Sequence, residues 1–181
     1  KAVVPVRYFL VELLMTLGFA GLWMTSDSVG QFIWYAGNFS ILLVLGFIDL
    51  EHMILPNSLI IIGIIFGLTS SALGFGPRVA GALFGCVTGF AVLAIVGLAS
   101  GGKMGTGDMK LLAYIGTLVG PVQIFIVLFL ASLLGVLVYV PRMLLAGHKV
   151  RGQVVPFGPY LAATAVVCMV FGQEILEMWL G

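Results

Sequence analysis

Six apolar stretches, each long enough to cross a lipid bilayer, constrain the fold of this chain more than any other feature. A transmembrane helix needs roughly 17–25 predominantly apolar residues. Of the 181 residues, 61% are hydrophobic and 8% are charged, whereas a soluble domain is about half apolar and about a quarter charged. The sequence therefore predicts an all-α, polytopic membrane protein. The six stretches cover residues 8–25, 32–49, 58–74, 79–99, 121–141 and 157–179.

A seventh apolar segment, residues 109–119, is too short to be a full span. At ~1.5 Å per residue it reaches about halfway across a bilayer. Gly120 and Pro121 follow it, and proline both lacks the amide hydrogen and disfavours helix in the residue before it. We predict a half-length helix that turns there into the 121–141 span; the alternative is one long kinked segment. The expected fold is thus about six transmembrane helices plus one half-length helix, in a single domain over residues 1–181.

The basic residues predict which ends of the spans face the cytoplasm. Lysine and arginine concentrate in the cytoplasmic loops of membrane proteins. A threading with residues 1–7 inside accounts for seven of the eight basic residues, with Arg78 as the exception. The same threading places both Asp49 and Asp108 on the cytoplasmic side. The other segments predicted to be cytoplasmic are 50–57, 100–110 and 142–155.

Composition and residue spacing argue against several other classes of protein. The net charge is +1 and the eight basic residues form no patch, so we expect membrane lipid around the chain and no nucleic-acid partner. Cys86 and Cys168 lie far apart and lack Cys-x-x-Cys spacing, which argues against a zinc site and against a disulfide. Glycines at 81, 85 and 89 have the spacing that lets helix backbones approach closely in lipid.

Two aspartates at the ends of apolar segments are the candidate functional residues. Ionisable groups at membrane depth are costly and usually functional, and the chain has only seven acidic residues. Asp108 ends a Gly-Thr-Gly-Asp turn, in which Gly105 and Gly107 allow unusual backbone angles and close approach. The competing interpretations are that Asp108 caps a helix and that Asp49 is an interfacial charge.

A pair of aspartates supports one well-defined chemistry. Two carboxylates held close together share one proton, because both cannot ionise easily. The ionised member takes a proton from water while the protonated member donates to the scissile carbonyl oxygen. No metal, nucleotide or other cofactor is needed. The sequence therefore predicts an intramembrane aspartyl protease with Asp49 and Asp108 as its catalytic pair.

Four motifs in order resemble those of the type IV prepilin peptidases, which are leader peptidases of the Gly-x-Gly-Asp aspartyl class. The resemblance implies that Asp49 and Asp108 are catalytic. It also implies a bacterial inner-membrane location and cytoplasmic-side cleavage of prepilin or pseudopilin substrates, after the glycine that ends a short basic leader. The motifs are Arg-Tyr at 7–8 with Val-Glu at 11–12, the segment 47–52 with Leu-Pro-Asn at 55–57, the segment 102–113, and Val-Pro-Phe-Gly-Pro-Tyr at 155–160.

The chain departs from the fuller pattern of that family upstream of Arg7. Bifunctional members carry a cytoplasmic segment there and also N-methylate the new terminus. Either the protein is longer and this is its peptidase part, or it is a peptidase-only member. Nothing in these residues indicates methyl transfer.

The supporting residues of the predicted site lie around the two aspartates. Gly105 and Gly107 shape the turn, and Glu51 stands where related sequences often have aspartate. Lys103, Lys110 and His52 share the predicted active face. They are interpreted either as substrate-recognition residues or as positive charges that fix the topology.

Other functions are consistent with parts of the pattern. A small transporter could bind a proton or cation at the two aspartates, but it would be expected to carry inverted repeats with interrupted helices near the bilayer midplane. An inactive accessory subunit would leave the diglycine turn unexplained. Presenilin-like proteases have Tyr-Asp at the first aspartate, where this chain has Ile48 and Asp49. The archaeal preflagellin peptidases are the closer alternative.

Overall fold

The computed structural model describes residues 6–102, 104–146 and 155–180, and every regular element in those ranges is an α-helix. This confirms the predicted all-α, polytopic membrane architecture. The helices are α1 (Val6–Met24), α2 (Val29–His52), α3 (Asn57–Ala72), α4 (Val79–Ala99), α5 (Thr106–Ala146) and α6 (Gly158–Leu180).

Four of these helices, α2, α4, α5 and α6, are long and apolar enough to cross a membrane. The apolar parts of α1 and α3, Tyr8–Met24 and Asn57–Ala72, are shorter. All six predicted stretches are helical, but α3 ends at Ala72, before the predicted limit of residue 74. Its 16 residues span ~24 Å, which is less than the ~30 Å of a typical hydrocarbon core.

Helix α5 is two helices joined at Gly120, as the Gly-Pro pair predicts. Gly120 has φ 81° and ψ 176°, a region that only glycine occupies readily. Pro121 has no amide hydrogen to continue the helix. We call residues 106–119 α5a and residues 121–146 α5b.

The two halves of α5 run antiparallel to different neighbours, α5a to α4 and α5b to α6. Along α5a, Met109, Leu112 and Gly116 contact α4 at Gly97, Gly89 and Gly85 respectively. Along α5b, Gln123, Val127 and Gly135 contact α6 at Gly172, Thr164 and Tyr160. The helix α5a therefore ends beside the first residues of α4, and it lies alongside most of that helix.

The helix α5a forms the centre of the molecule. All residues from 111 to 120 are buried, so this part of the short helix has no face left for lipid. A Cβ at Gly85 would overlap the carbonyl oxygen of Gly116, and one at Gly89 would overlap that of Leu112. Two glycines of the predicted small-residue stripe thus let the α4 and α5a backbones touch, as expected for close helix packing in lipid.

Candidate active site

Asp49 lies in the last turn of α2, one turn further inside the helix than its position at the end of the apolar run predicts. The helix continues to His52 and stops at Met53, which has a left-handed backbone with φ 54°. The amide of Met53 donates to the carbonyl oxygen of Asp49 over 2.9 Å. Such a left-handed residue is a common helix C-terminus, and here it closes the turn that carries the aspartate.

The side chain of Asp49 is held by the start of α6. It is 6% exposed, and its Oδ2 accepts a hydrogen bond from the amide of Gly158 over 2.9 Å. Gly158 is the first residue of α6, so Asp49 accepts a hydrogen bond from one of the amides that a helix leaves unpaired at its N-terminus. A Cβ at Gly158 would lie 2.6 Å from Oδ2. Only glycine therefore lets the α6 backbone come this close to the carboxylate.

Asp108 lies in the first turn of α5a, at the positive end of that helix, and is half-buried. Its carboxylate is near enough to that of Asp49 for the two charges to interact. Both side chains line one cavity of about 360 Å³, together with residues of the α2–α3 connection and of the Gly-Thr-Gly-Asp turn. The structure thus brings together the two aspartates that are 59 positions apart in the sequence.

Neither glycine of the turn has an unusual backbone angle, and Gly107 allows close approach of another segment. Neither Gly105 nor Gly107 has a positive φ; the neighbouring glycines with positive φ are Gly101 and Gly102. A Cβ at Gly107 would lie 3.2 Å from side-chain atoms of Leu55. The conformational reason expected for these glycines was therefore wrong, whereas the expected close approach is present at Gly107.

Comparison with known proteins places this arrangement in a family. The sequence profile of the type IV leader peptidase family matches residues 36–140, which is more than half of the chain and includes both aspartates. The chain belongs to this family. Gly158, which holds Asp49, lies beyond the matched range of the leader peptidase profile.

Several curated proteins are similar to this leader peptidase family member. The "Prepilin leader peptidase/N-methyltransferase" of Aeromonas hydrophila is 33% identical over 99% of this chain and 63% of its own length. That of Pseudomonas aeruginosa is 33% identical over the same shares, and that of Bacillus subtilis is 28% identical over 78% of this chain and 56% of its own length. The chain therefore spans less than two thirds of these relatives. No solved structure matches it.

The supporting residues predicted for this leader peptidase family member fall into three groups. Lys110 lines the aspartate cavity, and its Nζ donates to Oδ1 of Asn57 over 2.9 Å. Glu51 and His52 are exposed on the last turn of α2 and do not line the cavity. Lys103 lies outside the residues that the structure describes.

Two residues that hold charged side chains of the site were not predicted as site residues. Asn57 begins α3, lines the cavity and holds Lys110. Gly158 contacts Asp49 from a position 109 residues away. A signal for Gly158 existed in the Pro-Phe-Gly-Pro sequence at 156–159, because two prolines around a glycine indicate a fixed backbone. That sequence does not reveal which side chain the glycine amide meets.

Proposed function

We propose that this chain is an intramembrane aspartyl endopeptidase that removes the short basic leader from type IV prepilin-like proteins. Asp49 and Asp108 are its catalytic pair, and it cleaves after the leader glycine at the cytoplasmic surface of the bacterial inner membrane. The family and the names of the relatives support a leader peptidase. The observation that carries the aspartyl mechanism is that both carboxylates line one cavity.

The first half of the reaction needs one ionised and one protonated carboxyl group. The ionised group removes a proton from a water molecule as the water oxygen bonds to the scissile carbonyl carbon. The protonated group gives its proton to the carbonyl oxygen, so that no oxyanion is left without a partner. The product is a neutral gem-diol with one hydroxyl from the former carbonyl oxygen and one from the water molecule.

The second half of the reaction restores the dyad to its starting charge. The carboxyl group that gained the water proton donates a proton to the amide nitrogen as the C–N bond breaks. The other carboxylate takes a proton back from one hydroxyl of the gem-diol. A new carboxyl terminus and a new amine leave, one proton stays on the pair, and one water molecule is consumed.

The surroundings of the cavity support cleavage at a membrane surface. Asp49 lies in the last turn of α2 and Asp108 in the first turn of α5a, so both are at helix ends. The cavity is lined by polar groups, among them Asn57 and Lys110, while the rest of each helix is apolar. In a substrate with a polar leader and an apolar helix, the boundary between these two parts lies at the same membrane depth as this cavity. The excess of basic residues on this side supports a cytoplasmic orientation.

The test is cleavage of a synthetic prepilin segment by the purified protein in detergent. Wild type is expected to cut after the leader glycine, and Asp49→Asn and Asp108→Asn are each expected to lose at least ~10²–10⁴-fold in kcat, the usual contribution of a positioned acid or base. Asp27→Asn is the matched control, because Asp27 is exposed at the opposite end of α2, before residue 29. It should cleave like wild type.

Two results would contradict the proposal. Full activity in either catalytic variant would show that the dyad is not the chemical machinery. A folded wild type that cuts no prepilin segment, while Asp49→Asn or Asp108→Asn abolishes proton or cation flux in liposomes, would favour the transporter.

A further inference from the structure

The two helices that carry the aspartates, α2 and α5a, pack mainly against other helices and not against each other. Helix α5 packs chiefly against α4, and then against α6 and α3, while α2 packs chiefly against α6. The relative placement of Asp49 and Asp108 therefore depends largely on intermediaries. A direct bond between α2 and α5a would fix that placement more strictly than contacts through a third helix.

One buried hydrogen bond supplies this direct link. The hydroxyl of Tyr114 on α5a donates to Oδ1 of Asn38 on α2 over 2.8 Å, and both residues are 0% exposed. The amide nitrogen of Asn38 donates to the carbonyl oxygen of Trp34 over 2.9 Å. This second bond orients the amide so that its oxygen faces Tyr114.

The bond lies on the face of α2 that carries Asp49. Asn38 and Asp49 are eleven residues apart, which is close to three full turns, and the buried stripe of α2 runs from one to the other through Leu42 and Leu45. A rotation of α2 that moved Asp49 would thus break the bond at Asn38. On α5a, Tyr114 lies six residues after Asp108, about 120° away around the helix axis, so it is on the same rigid helix as Asp108 but on a different face.

The site around Tyr114 is shaped for this bond. A Cβ at Gly63 on α3 would lie 2.7 Å from Cζ of the tyrosine ring, so α3 leaves room for the ring only because residue 63 is glycine. Neither Tyr114 nor Asn38 lines the aspartate cavity. These two residues therefore do not contact substrate in that cavity. What they do is join the two helices.

We propose that Tyr114 and Asn38 are positioning residues that prevent rotation of α2 against α5a. They thereby hold the carboxylates of Asp49 and Asp108 in the relative position that the reaction needs. The inference rests on the proposed function, because it assumes that the two aspartates act together. It assigns a catalytic consequence to a hydrogen bond far from the reacting atoms. Since misplacement of about 1 Å can cost ~100-fold in rate, even a slight helix rotation is expected to lower kcat.

The test is a double-mutant cycle measured on prepilin-segment cleavage. Tyr114→Phe removes only the hydroxyl and Asn38→Leu removes the amide at similar volume. Each single variant is expected to lower kcat about tenfold with KM within twofold of wild type, because the cavity wall is unchanged. The double variant should be no slower than the slower single variant, since both changes break the same bond.

Thr117→Val is the matched control for loss of a buried hydroxyl. Thr117 lies on the same helix and is 0% exposed, but its hydroxyl donates to the carbonyl oxygen of Tyr114 within that helix. It should keep the wild-type kcat. Wild-type kcat in Tyr114→Phe, additive losses in the double variant, or an equal loss in Thr117→Val would each overturn the inference. Absence of cleavage by wild type would instead refute the proposed function.

Discussion

The two aspartates of the cavity are held in different ways. Asp49 is buried, and the amide of Gly158, 109 residues further along the chain, donates to it. Asp108 is half-buried, and its position is set by the first turn of α5a and by the glycines before it. Tertiary contact fixes the first carboxylate, whereas local structure fixes the second. The Asp49 side should therefore tolerate less change than the Asp108 side.

Gly158→Ala should have the largest effect, because it breaks the tertiary contact of Asp49. The added Cβ would lie 2.6 Å from Oδ2 and 3.0 Å from Cγ of the aspartate, so either the carboxylate or the start of α6 must move. A loss of about 100-fold in kcat is expected, measured by prepilin-segment cleavage. Gly21→Ala is the control, since a Cβ there meets nothing within 4 Å. Activity near wild type in Gly158→Ala would show that Asp49 is held no more strictly than Asp108.

Gly85→Ala should disturb the support of Asp108 by pushing α4 away from α5a. The new Cβ would overlap the backbone of Gly116 and lie 2.9 Å from Cα of Gly120. Overpacking of this kind costs about 1–3 kcal/mol, and a lower melting temperature in detergent should report it.

Gly81→Ala is the matched control one turn away on α4. Its Cβ would lie 3.7 Å from the nearest atom, on Pro77, so its melting temperature should stay close to that of wild type. Equal melting temperatures for Gly85→Ala and Gly81→Ala would mean that α5a is not held by backbone contact with α4.

Gly107→Ala should have a smaller effect on catalysis than Gly158→Ala. Its Cβ would lie 3.2 Å from side-chain atoms of Leu55, a milder overlap than the 2.6 Å at Gly158, and the leucine side chain makes no hydrogen bond that a small shift would break. We expect less than a tenfold loss in kcat, and recovery when Leu55→Ala is added. A loss as large as that of Gly158→Ala would show that the Asp108 side is equally rigid.

Lys110→Met should have the smallest effect of the four. The amine is bonded to Asn57 at an exposed site, where a hydrogen bond contributes about 0.5–1.5 kcal/mol. A two- to fivefold loss in kcat/KM is expected, with the same loss in Asn57→Ala and less in Lys110→Arg. A hundredfold loss in Lys110→Met with none in Asn57→Ala would mean that the lysine charge acts on the reaction itself.

Much of the fold follows from residues that act locally. The lengths of the apolar stretches predict the six helices, and Gly120 with Pro121 predicts the turn in α5 because both residues oppose helix in a way that does not depend on neighbours. The glycine stripe on α4 predicts close packing, and two of its members, Gly85 and Gly89, touch the α5a backbone.

The candidate site could be predicted only in part. Asp49 and Asp108 were predictable because a carboxylate in an apolar segment needs a reason to be there. The contact of Gly158 with Asp49 and the bond between Asn38 and Tyr114 were not, because each joins helices whose relative placement no local pattern specifies. Glu51 and His52 were expected near the site from their position beside Asp49, but successive residues of a helix point in different directions, and both are exposed away from the cavity.

The most direct test of the account is the binding of a gem-diol mimic. A prepilin segment in which a secondary alcohol replaces the scissile amide resembles the tetrahedral intermediate, and such analogues bind at least ~100-fold more tightly than substrates. The account predicts tight binding of this peptide to wild type and loss of that advantage in both Asp49→Asn and Asp108→Asn. Equally tight binding to wild type and either variant would contradict the claim that both carboxylates act on one intermediate.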